Sequence, residues 1–267
     1  MAIHPSASID PRAELGAGVE IGPFAVVTGK VVLHDGVQLH AHSHVQGDTE
    51  LGAGTRVFSF ASVGGDPQDL KYRGESTRLV VGPRCTFREG STANRGTEAG
   101  GGVTTIGSDC LFMAGTHVAH DCVIGNHVIF ANYAALGGHV TVQDRAVFGG
   151  FAGVHQHGRV GRCAMVAGGA MATQDVPPFT IAQGDRARLV GLNVVGLRRS
   201  GFSREVLAAL KAAYRELFQA GMPLRIAAEQ VREVYSDVPE VVELVDFLEQ
   251  SQRGICRSVG APDVADE

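Results

Sequence analysis

Polar side chains capable of acid–base chemistry recur at intervals of 18 residues in the middle of the chain. The set comprises His117, His120, Asp121, His139, His155, Gln156 and His157, and Gly138 falls 18 residues after His120. A histidine beside a carboxylate, as at His120 and Asp121, is the usual arrangement of an oriented general base. A glycine N–H next to it, here Gly138, could hold a developing oxyanion. The spacing therefore predicts a catalytic edge, provided that the fold brings residues 18 apart together.

A repeat of six residues explains this spacing, since three hexads make one turn of about 18 residues. Every sixth residue is aliphatic or aromatic from Ile3 to Val63 and again from Ile106 to Val166, and the fifth place of the hexads is mostly small or β-branched. Neither the helical period nor simple alternation gives a strict six. The sequence therefore predicts a mainly β protein, a parallel β-helix of hexapeptide repeats, with the large residue of each hexad in the interior.

The same repeat assigns some cysteines to the core. Cys110 and Cys122 occupy the small interior column, so they are expected to be core filler rather than nucleophiles. The five cysteines form no CxxC pair and no zinc spacing, which argues against a disulfide framework or a cysteine metal site.

At the level of the residues, the histidine cluster allows two further interpretations. Histidines on adjacent coils or subunits could hold zinc, as they do in carbonic anhydrases of this fold. Outward-facing histidines on a β-helix are also often simply solvated, which is the expectation for His34, His40, His42 and His44. The alignment of residues 18 apart on adjacent coils indicates where a site would lie but does not identify its reaction.

Composition places the chain among soluble globular proteins. It has 267 residues, 44% of them hydrophobic, and a formal charge of -5. This mild acidity argues against nucleic-acid binding. No apolar run approaches the ~20 residues of a membrane helix, and the N-terminus lacks the regions of a signal peptide. A cytoplasmic protein without stable membrane insertion is expected.

Two polar, glycine-rich stretches break the repeat, at residues 64–80 and 94–104. Long loops on a rigid scaffold often carry function. Pro177-Pro178 is expected to end the β-helix. The predicted organisation is a β-helix over residues 1–190, a helical domain over 191–257 and a disordered tail over 258–267.

Helical spacing replaces the period of six after residue 203. Apolar residues from Val206 to Phe218 recur at helical intervals, and Ser203 precedes them as a candidate N-cap. Pro223 and Pro239 suit the first turns of two further helices.

Both loops and the helical cap resemble a known family. The segments are GGDPQDLKYRGESTRL (64–79), HVAHDCVIGN (117–126), GGHVTV (137–142), GVHQ (153–156), QDVPPFTIAQGD (174–185) and GLNVVGLRRSGFSRE (191–205). They closely resemble the UDP-N-acetylglucosamine O-acyltransferases, cytoplasmic enzymes that begin lipid A synthesis in bacteria with an outer membrane. The resemblance runs from about residue 3 to Arg257, and the DPQDLKY and HxxHDC strings are specific to the family.

This resemblance implies a homotrimer of left-handed parallel β-helices with C-terminal helical domains and active sites between subunits. It implies transfer of an (R)-3-hydroxyacyl group from acyl carrier protein to the glucosamine 3-hydroxyl of UDP-N-acetylglucosamine (UDP-GlcNAc). No metal or cofactor is expected, because the thioester donor is already activated. By the same resemblance His120 is the general base, Asp121 orients it, and the Gly138 N–H stabilises the oxyanion.

Further positions are assigned to substrate by the resemblance. The sugar and phosphate are expected to be held by Gln68, Asp69 and Lys71. The sugar and acyl groove is expected to be lined by His117, His139, His155 and Gln156. The nucleotide is expected to be reached by Asn193 and Arg199. Basic residues of the cap are expected to meet the acidic carrier protein.

Acyl-chain length is expected to be set at one end of the groove. Asn132, Gly150 and Gly168 form a column along one edge, and Gly168 falls where the family sets acyl length. A glycine leaves the groove open, which predicts a longer hydroxyacyl chain. Arg186, near the same end, could instead close it.

Val195 and Ser200 depart from the family pattern, which often has an acidic and a second basic residue there. These departures could accompany a different acceptor, the 3-amino analogue of UDP-GlcNAc, whose product is an amide.

A related N-acyltransferase normally carries an additional N-terminal uridine-binding domain, whereas the repeat here begins at Ile3. A zinc hydratase of the same fold would lack the DPQDLKY loop. In a non-catalytic scaffold, the alignment of His, Asp, Gly and Gln on one edge of the β-helix would serve no function.

Overall fold

Three flat β-sheets form the body of the protein, which the computed structural model describes for residues 2–259. The first sheet contains Ala2–Ile3, Glu20–Ile21, Gln38–Leu39, Arg56–Val57, Thr86–Phe87, Leu111–Phe112, Ile129–Phe130, Val147–Phe148, Met165–Val166, Thr180–Gln183 and Arg188–Leu192. The second contains Ser8–Ile9, Val26–Thr28, His44–Gln46, Ser62–Gly65, Thr92–Asn94, His117–Val118, Ala135–Leu136, Gly153–Val154 and Met171–Ala172. The third contains Glu14–Leu15, Val31–Leu33, Asp48–Leu51, Arg78–Val81, Val103–Ile106, Val123–Ile124, Thr141–Val142 and Arg159–Val160.

Successive strands of the chain enter successive sheets, so the backbone winds as a parallel β-helix. Neighbouring coils pair in register at the predicted spacing, as where His117 pairs with Ala135 and Ala135 with Gly153. The hexapeptide interpretation is thereby confirmed.

The interior is filled by the two predicted columns of apolar side chains. Phe87, Phe112, Phe130 and Phe148 stack along the axis with centroid separations of 4.8, 5.1 and 4.3 Å. Cys110 and Cys122 are buried in the small column, as predicted. Burial of each large apolar side chain stabilises the coil by about 1.5–3 kcal/mol. Ile3, on the first coil within residues 2–259, is 41% exposed.

A corner of the coil carries polar side chains in a left-handed backbone conformation. Asp121, His139 and His157 have φ values of 59°, 60° and 62° and lie on successive coils. Asp and His tolerate this conformation better than most residues. The corner therefore places these three side chains in one column at the edge of the second and third sheets.

The two predicted loops are shorter in the structure. Ser62–Gly65 and Arg78–Val81 are strands, so the first loop is reduced to residues 66–77. Thr92–Asn94 and Val103–Ile106 bound the second loop, which spans 95–102 and contains the 3-10 helix Glu98–Gly100. The bounds differ because strand pairing with the adjacent coils continues into both polar stretches.

Pro177-Pro178 does not end the β-helix, contrary to the sequence expectation. Val176 still bridges Val160, and Thr180–Gln183 then pairs in parallel with Met165–Val166. An antiparallel partner, Arg188–Leu192, closes the top of the first sheet.

A bundle of four helices follows: α1 (Val194–Arg199), α2 (Arg204–Gln219), α3 (Leu224–Val234) and α4 (Pro239–Glu249). Ser203 caps α2 through a bond from the Val206 N–H, as predicted, and Pro239 is in the first turn of α4. Among residues 2–259, no helix is long and apolar enough to cross a membrane.

The segment after α4 returns to the β-helix. Asp175 bridges Ile255, and Leu189 bridges Ser258. The predicted disordered tail began at Ser258, but Ser258 is buried, because its main chain extends the pairing with Leu189. Of the rest of that predicted tail, Val259 donates its N–H to the Leu189 carbonyl at 2.9 Å, and residues 260–267 lie outside the described residues.

Candidate active site

His120 and Asp121 form a hydrogen-bonded pair at the polar corner. The Nδ1 atom of His120 lies 2.8 Å from Oδ2 of Asp121. The two side chains are only 12% and 1% exposed. Because the carboxylate accepts a hydrogen bond from Nδ1–H, the other ring nitrogen, Nε2, is left with the free lone pair that a general base needs.

Asp121 is held by a loop that is distant from it in sequence. Its Oδ1 accepts a hydrogen bond from the Thr97 N–H at 2.8 Å, and Oδ2 accepts one from the Thr97 hydroxyl at 2.6 Å. The Asp121 N–H donates to the Thr104 hydroxyl at 2.8 Å. The carboxylate therefore has a fixed orientation.

Gly138 lies one coil beyond His120, as the 18-residue spacing predicted. A methyl group at Gly138 would lie 2.5 Å from Cε1 and 2.7 Å from Nε2 of His120. Within residues 2–259, no main-chain carbonyl accepts a hydrogen bond from the Gly138 N–H. The imidazole thus packs against a residue that has to lack a side chain.

Other histidines surround the pair. The rings of His120 and His139 meet edge to face at 5.1 Å, and His139 stacks on His157 at 4.4 Å. Burial lowers the pKa of His139, and its histidine neighbours add to this effect while Asp121 opposes it. Burial, together with the charge of His120, also lowers the pKa of His117.

The cluster can be tested as a metal site by its donor atoms. Ligand atoms of His120, Asp121 and His139 lie within 4.8 Å of one another. However, Asp121 Oδ2 already accepts bonds from the Thr97 hydroxyl and from His120 Nδ1. A zinc ion would have to displace both, so the donor set suits an oriented base better than a metal ligand.

His155 lies one coil further and is fixed by the C-terminal segment. Nη2 of Arg253 lies 2.8 Å from His155 Nδ1, and Nε of Arg253 donates to the Thr173 carbonyl at 2.7 Å. Since a guanidinium only donates, Nδ1 of His155 is the acceptor and its Nε2 carries the proton. His155 and the adjacent Gln156 are both exposed.

Loop 66–77 carries the predicted sugar and phosphate ligands. Asp69 accepts a hydrogen bond from the Lys71 N–H at 2.9 Å, and its charge acts on His139. Gln68 and Lys71 are exposed. The Asp69 carboxylate therefore influences His139 electrostatically, while the side chains of Gln68 and Lys71 face solvent.

Arg95 ties this loop to the coil. Its buried guanidinium donates to the Gly64 carbonyl and to Asp66, and it lies 3.2 Å from the Tyr72 hydroxyl. The Arg95 N–H also donates to the Gly65 carbonyl at 2.9 Å. One side chain thus fixes both the start and the middle of the loop.

Asn193 and Arg199, the predicted nucleotide ligands, lie at opposite ends of α1. Asn193 is 7% exposed; its amide donates to the Cys163 carbonyl at 3.0 Å and accepts from the Gly196 N–H at 3.1 Å. Its side chain serves as the helix cap. Arg199 is exposed in the last turn.

Gly168 is exposed and has room for a side chain. A methyl group there would meet nothing closer than the Gly150 carbonyl, at 3.5 Å. Arg186 lines a cavity with Arg188, Arg253 and Arg257. It follows Asp185, which bridges Met171 three residues beyond Gly168, so both candidate length determinants lie on the last coils.

Thr97, Arg95 and Arg253 are the site residues that the sequence analysis missed. Thr97 and Arg95 lie in the NRGTEAGGG stretch, where the six-residue period is interrupted and does not predict which residues are neighbours. The glycines of that stretch were the available signal, since they indicate a backbone in close contact with something.

Known proteins resemble this chain over nearly its whole length. Residues 175–256 match the family described as UDP N-acetylglucosamine O-acyltransferase, domain 2, and residues 104–138 match the bacterial transferase hexapeptide family. The chain is similar to the acyl-(acyl-carrier-protein)–UDP-N-acetylglucosamine O-acyltransferase of Paraburkholderia phymatum, with 47% identity over 96% of this chain and 99% of that protein. The corresponding Stenotrophomonas maltophilia protein is 45% identical over 96% of this chain and 97% of its own length.

Solved structures of the family superpose closely. The Francisella novicida UDP-N-acetylglucosamine acyltransferase has a TM-score of 0.94 at 32% identity, covering 97% of this chain and 95% of that one. LpxA from Acinetobacter baumannii has a TM-score of 0.93 at 40% identity, covering 96% and 100%. The predicted left-handed parallel β-helix with a C-terminal helical domain is thereby confirmed, and the chain belongs to the UDP-N-acetylglucosamine O-acyltransferase family.

Proposed function

We propose that this protein transfers an (R)-3-hydroxyacyl group from acyl carrier protein to the 3-hydroxyl of UDP-GlcNAc, the first step of lipid A synthesis. Relatives named for this acyl transfer match 96% of the chain. The observation that carries the proposal is the His120 ring, which is hydrogen-bonded to Asp121 through Nδ1 and packs against Gly138.

In this mechanism His120 acts first as a base. Its Nε2 takes the proton of the sugar 3-hydroxyl as the oxygen attacks the thioester carbonyl carbon. Asp121 stabilises the imidazolium that forms, because its negatively charged carboxylate already accepts a hydrogen bond from Nδ1–H. The Gly138 N–H donates to the oxyanion of the tetrahedral intermediate.

The intermediate then collapses to products. The carbon–sulfur bond breaks, the new carbon–oxygen ester bond remains, and Nε2 returns its proton to the departing thiolate. The thioester supplies the activation, so the reaction needs neither a metal nor a cofactor.

Substrate contacts follow from the groups around this centre. Asp69, Lys71 and Gln68 of loop 66–77 are suited to sugar hydroxyls and phosphate, as is the exposed Arg199 to an anionic nucleotide. His117, His139, His155 and Gln156 line the groove for sugar and acyl chain. Asn193 contacts the nucleotide only if it exchanges its capping bonds.

The active form is a homotrimer in the cytoplasm, where acyl carrier protein is available. The outward side chains of the first sheet support association, because Leu111, Ile129, Val147 and Met165 form an apolar row on successive coils. Gly168 leaves the far end of the groove open, which favours a longer hydroxyacyl chain.

An acyl-transfer assay tests this function. Purified protein is incubated with 3-hydroxyacyl carrier proteins of graded length and with either UDP-GlcNAc or its 3-amino analogue. An ester formed on UDP-GlcNAc supports the proposal, and transfer only to the analogue would replace the acceptor while retaining the base. Absence of transfer to both acceptors from every donor would contradict it.

A further inference from the structure

Loop 95–102 grips the carboxylate of Asp121 from above. Thr97 is only 6% exposed, and its N–H and its hydroxyl each contact one carboxylate oxygen. The loop has a close fit, because a methyl group at Gly100 would lie 2.1 Å from Cγ of Asp121 and one at Gly96 would lie 2.8 Å from Oδ1. The backbone of this loop thus occupies the space in which water would otherwise solvate the carboxylate.

The direction of the Thr97 hydroxyl proton is set by a second bond. The Thr97 oxygen accepts a hydrogen bond from the Gly100 N–H at 3.1 Å, where it caps the 3-10 helix Glu98–Gly100. With that lone pair occupied, the O–H points at Oδ2 of Asp121, 2.6 Å away. The same Oδ2 faces Nδ1 of His120. The chain of hydrogen bonds therefore runs from Gly100 through Thr97 and Asp121 to His120.

His139 is an alternative hydrogen-bond partner for Asp121, and the bond from Thr97 holds the carboxylate away from it. Nε2 of His139 lies 3.7 Å from Oδ2 of Asp121. Without the Thr97 hydroxyl, rotation of the carboxylate would bring it closer to His139 and further from His120. His120 would then lose the acceptor that fixes its tautomer.

We propose that Thr97 is a positioning residue for acyl transfer, one that acts through Asp121 and touches no substrate. This inference rests on the proposed function, in which His120 is the base. It assigns to the second loop a role distinct from that of loop 66–77, which carries the substrate ligands.

Removal of the hydroxyl tests the assignment. Thr97→Val keeps the size of the side chain and the main-chain bond, Thr97→Ala is a second variant without the hydroxyl, and Thr97→Ser restores it. Thr55→Val is the matched control, since Thr55 is also buried and its hydroxyl donates to a carbonyl, that of Gly82, at 3.3 Å on a lower coil.

In Thr97→Val and Thr97→Ala, kcat is expected to fall about 10- to 100-fold, as for the loss of a hydrogen bond to a charged group. KM for UDP-GlcNAc should stay within about twofold, since ground-state binding is untouched. Thr97→Ser and Thr55→Val should keep nearly the wild-type kcat.

Nitrogen-15 spectra of the histidine side chains give a readout that does not depend on activity. The wild type should show His120 protonated at Nδ1, and Thr97→Val a mixture of tautomers. An unchanged tautomer together with an unchanged kcat would overturn the proposal, as would a Thr97→Ser variant as slow as Thr97→Val. A wild type that transfers no acyl group would refute the proposed function instead, while the spectra would still test the link from Thr97 to His120.

Discussion

The His120 imidazole occupies the position that a side chain at Gly138 would need, with Cε1 only 2.5 Å from the site of a methyl group. The proposed base and the proposed oxyanion donor are therefore one coil apart and in contact. A hexapeptide β-helix produces such a relationship between residues 18 apart without a long connecting loop.

Gly138→Ala should abolish most activity without unfolding the protein. The new methyl group displaces the His120 ring, and a misplaced base costs about 100-fold in rate. The melting temperature should change little, because Gly138 has no left-handed φ and only a side chain has to move. Steady-state kinetics and thermal unfolding check this, and a variant with normal kcat would show that the ring need not lie against Gly138.

Arg95→Met should weaken the binding of UDP-GlcNAc. The variant loses the bonds to Gly64 and Asp66 that hold loop 66–77, so KM should rise about tenfold while kcat changes little. Arg84→Met is the matched control, since Arg84 pairs with Asp109 outside the loop. An equal KM in wild type and Arg95→Met would mean that the loop does not depend on this arginine.

Gly168→Met should shift donor preference toward shorter hydroxyacyl chains. The side chain would fill space that is open in the structure, and each excluded methylene is worth roughly tenfold or more in kcat/KM. Competition between carrier-protein donors of graded length measures the shift. If preference stays the same in Gly168→Met but lengthens in Arg186→Ala, the arginine closes the groove instead.

Acidification should destabilise the fold through two partly buried histidines. Burial lowers the pKa of His117 and His139, so the folded state favours their neutral forms. Their contribution to stability is complete above the unfolded pKa of about 6.5 and is lost as the pH falls through the lower folded values.

Urea unfolding of wild type and of the double variant His117→Gln/His139→Gln, at about pH 7.5 and about pH 5.5, isolates this contribution from other groups. The wild type should lose more free energy of unfolding on acidification than the variant. An equal loss of unfolding free energy in both proteins would show that these histidines do not cause the destabilisation at low pH.

The sequence period predicted the part of the site that lies on the coil. Because strands on adjacent coils pair in register, residue counting alone placed His120 against Gly138 and Asp121 below His139. The interior columns, and with them the burial of Cys110 and Cys122, follow from the same period.

Contacts outside the repeat could not be predicted in this way. Thr97 meets Asp121 through a loop whose conformation depends on glycine flexibility and capping, which no period encodes. Arg253 reaches His155 across 98 residues of chain, because the segment after α4 folds back onto the last coil. The prediction that Pro177-Pro178 ends the β-helix was wrong for a related reason. The strand Thr180–Gln183 is stabilised by pairing with Met165–Val166 on the preceding coil, which the local sequence does not reveal.

The transfer rate of His120→Gln tests the central claim most directly. Glutamine keeps a polar side chain but cannot take up the proton, so the rate from 3-hydroxyacyl carrier protein to UDP-GlcNAc should fall about 10²- to 10⁴-fold. His127→Gln, at another corner of the same β-helix, should retain wild-type activity. A His120→Gln enzyme as fast as His127→Gln would contradict the assignment of His120 as the general base.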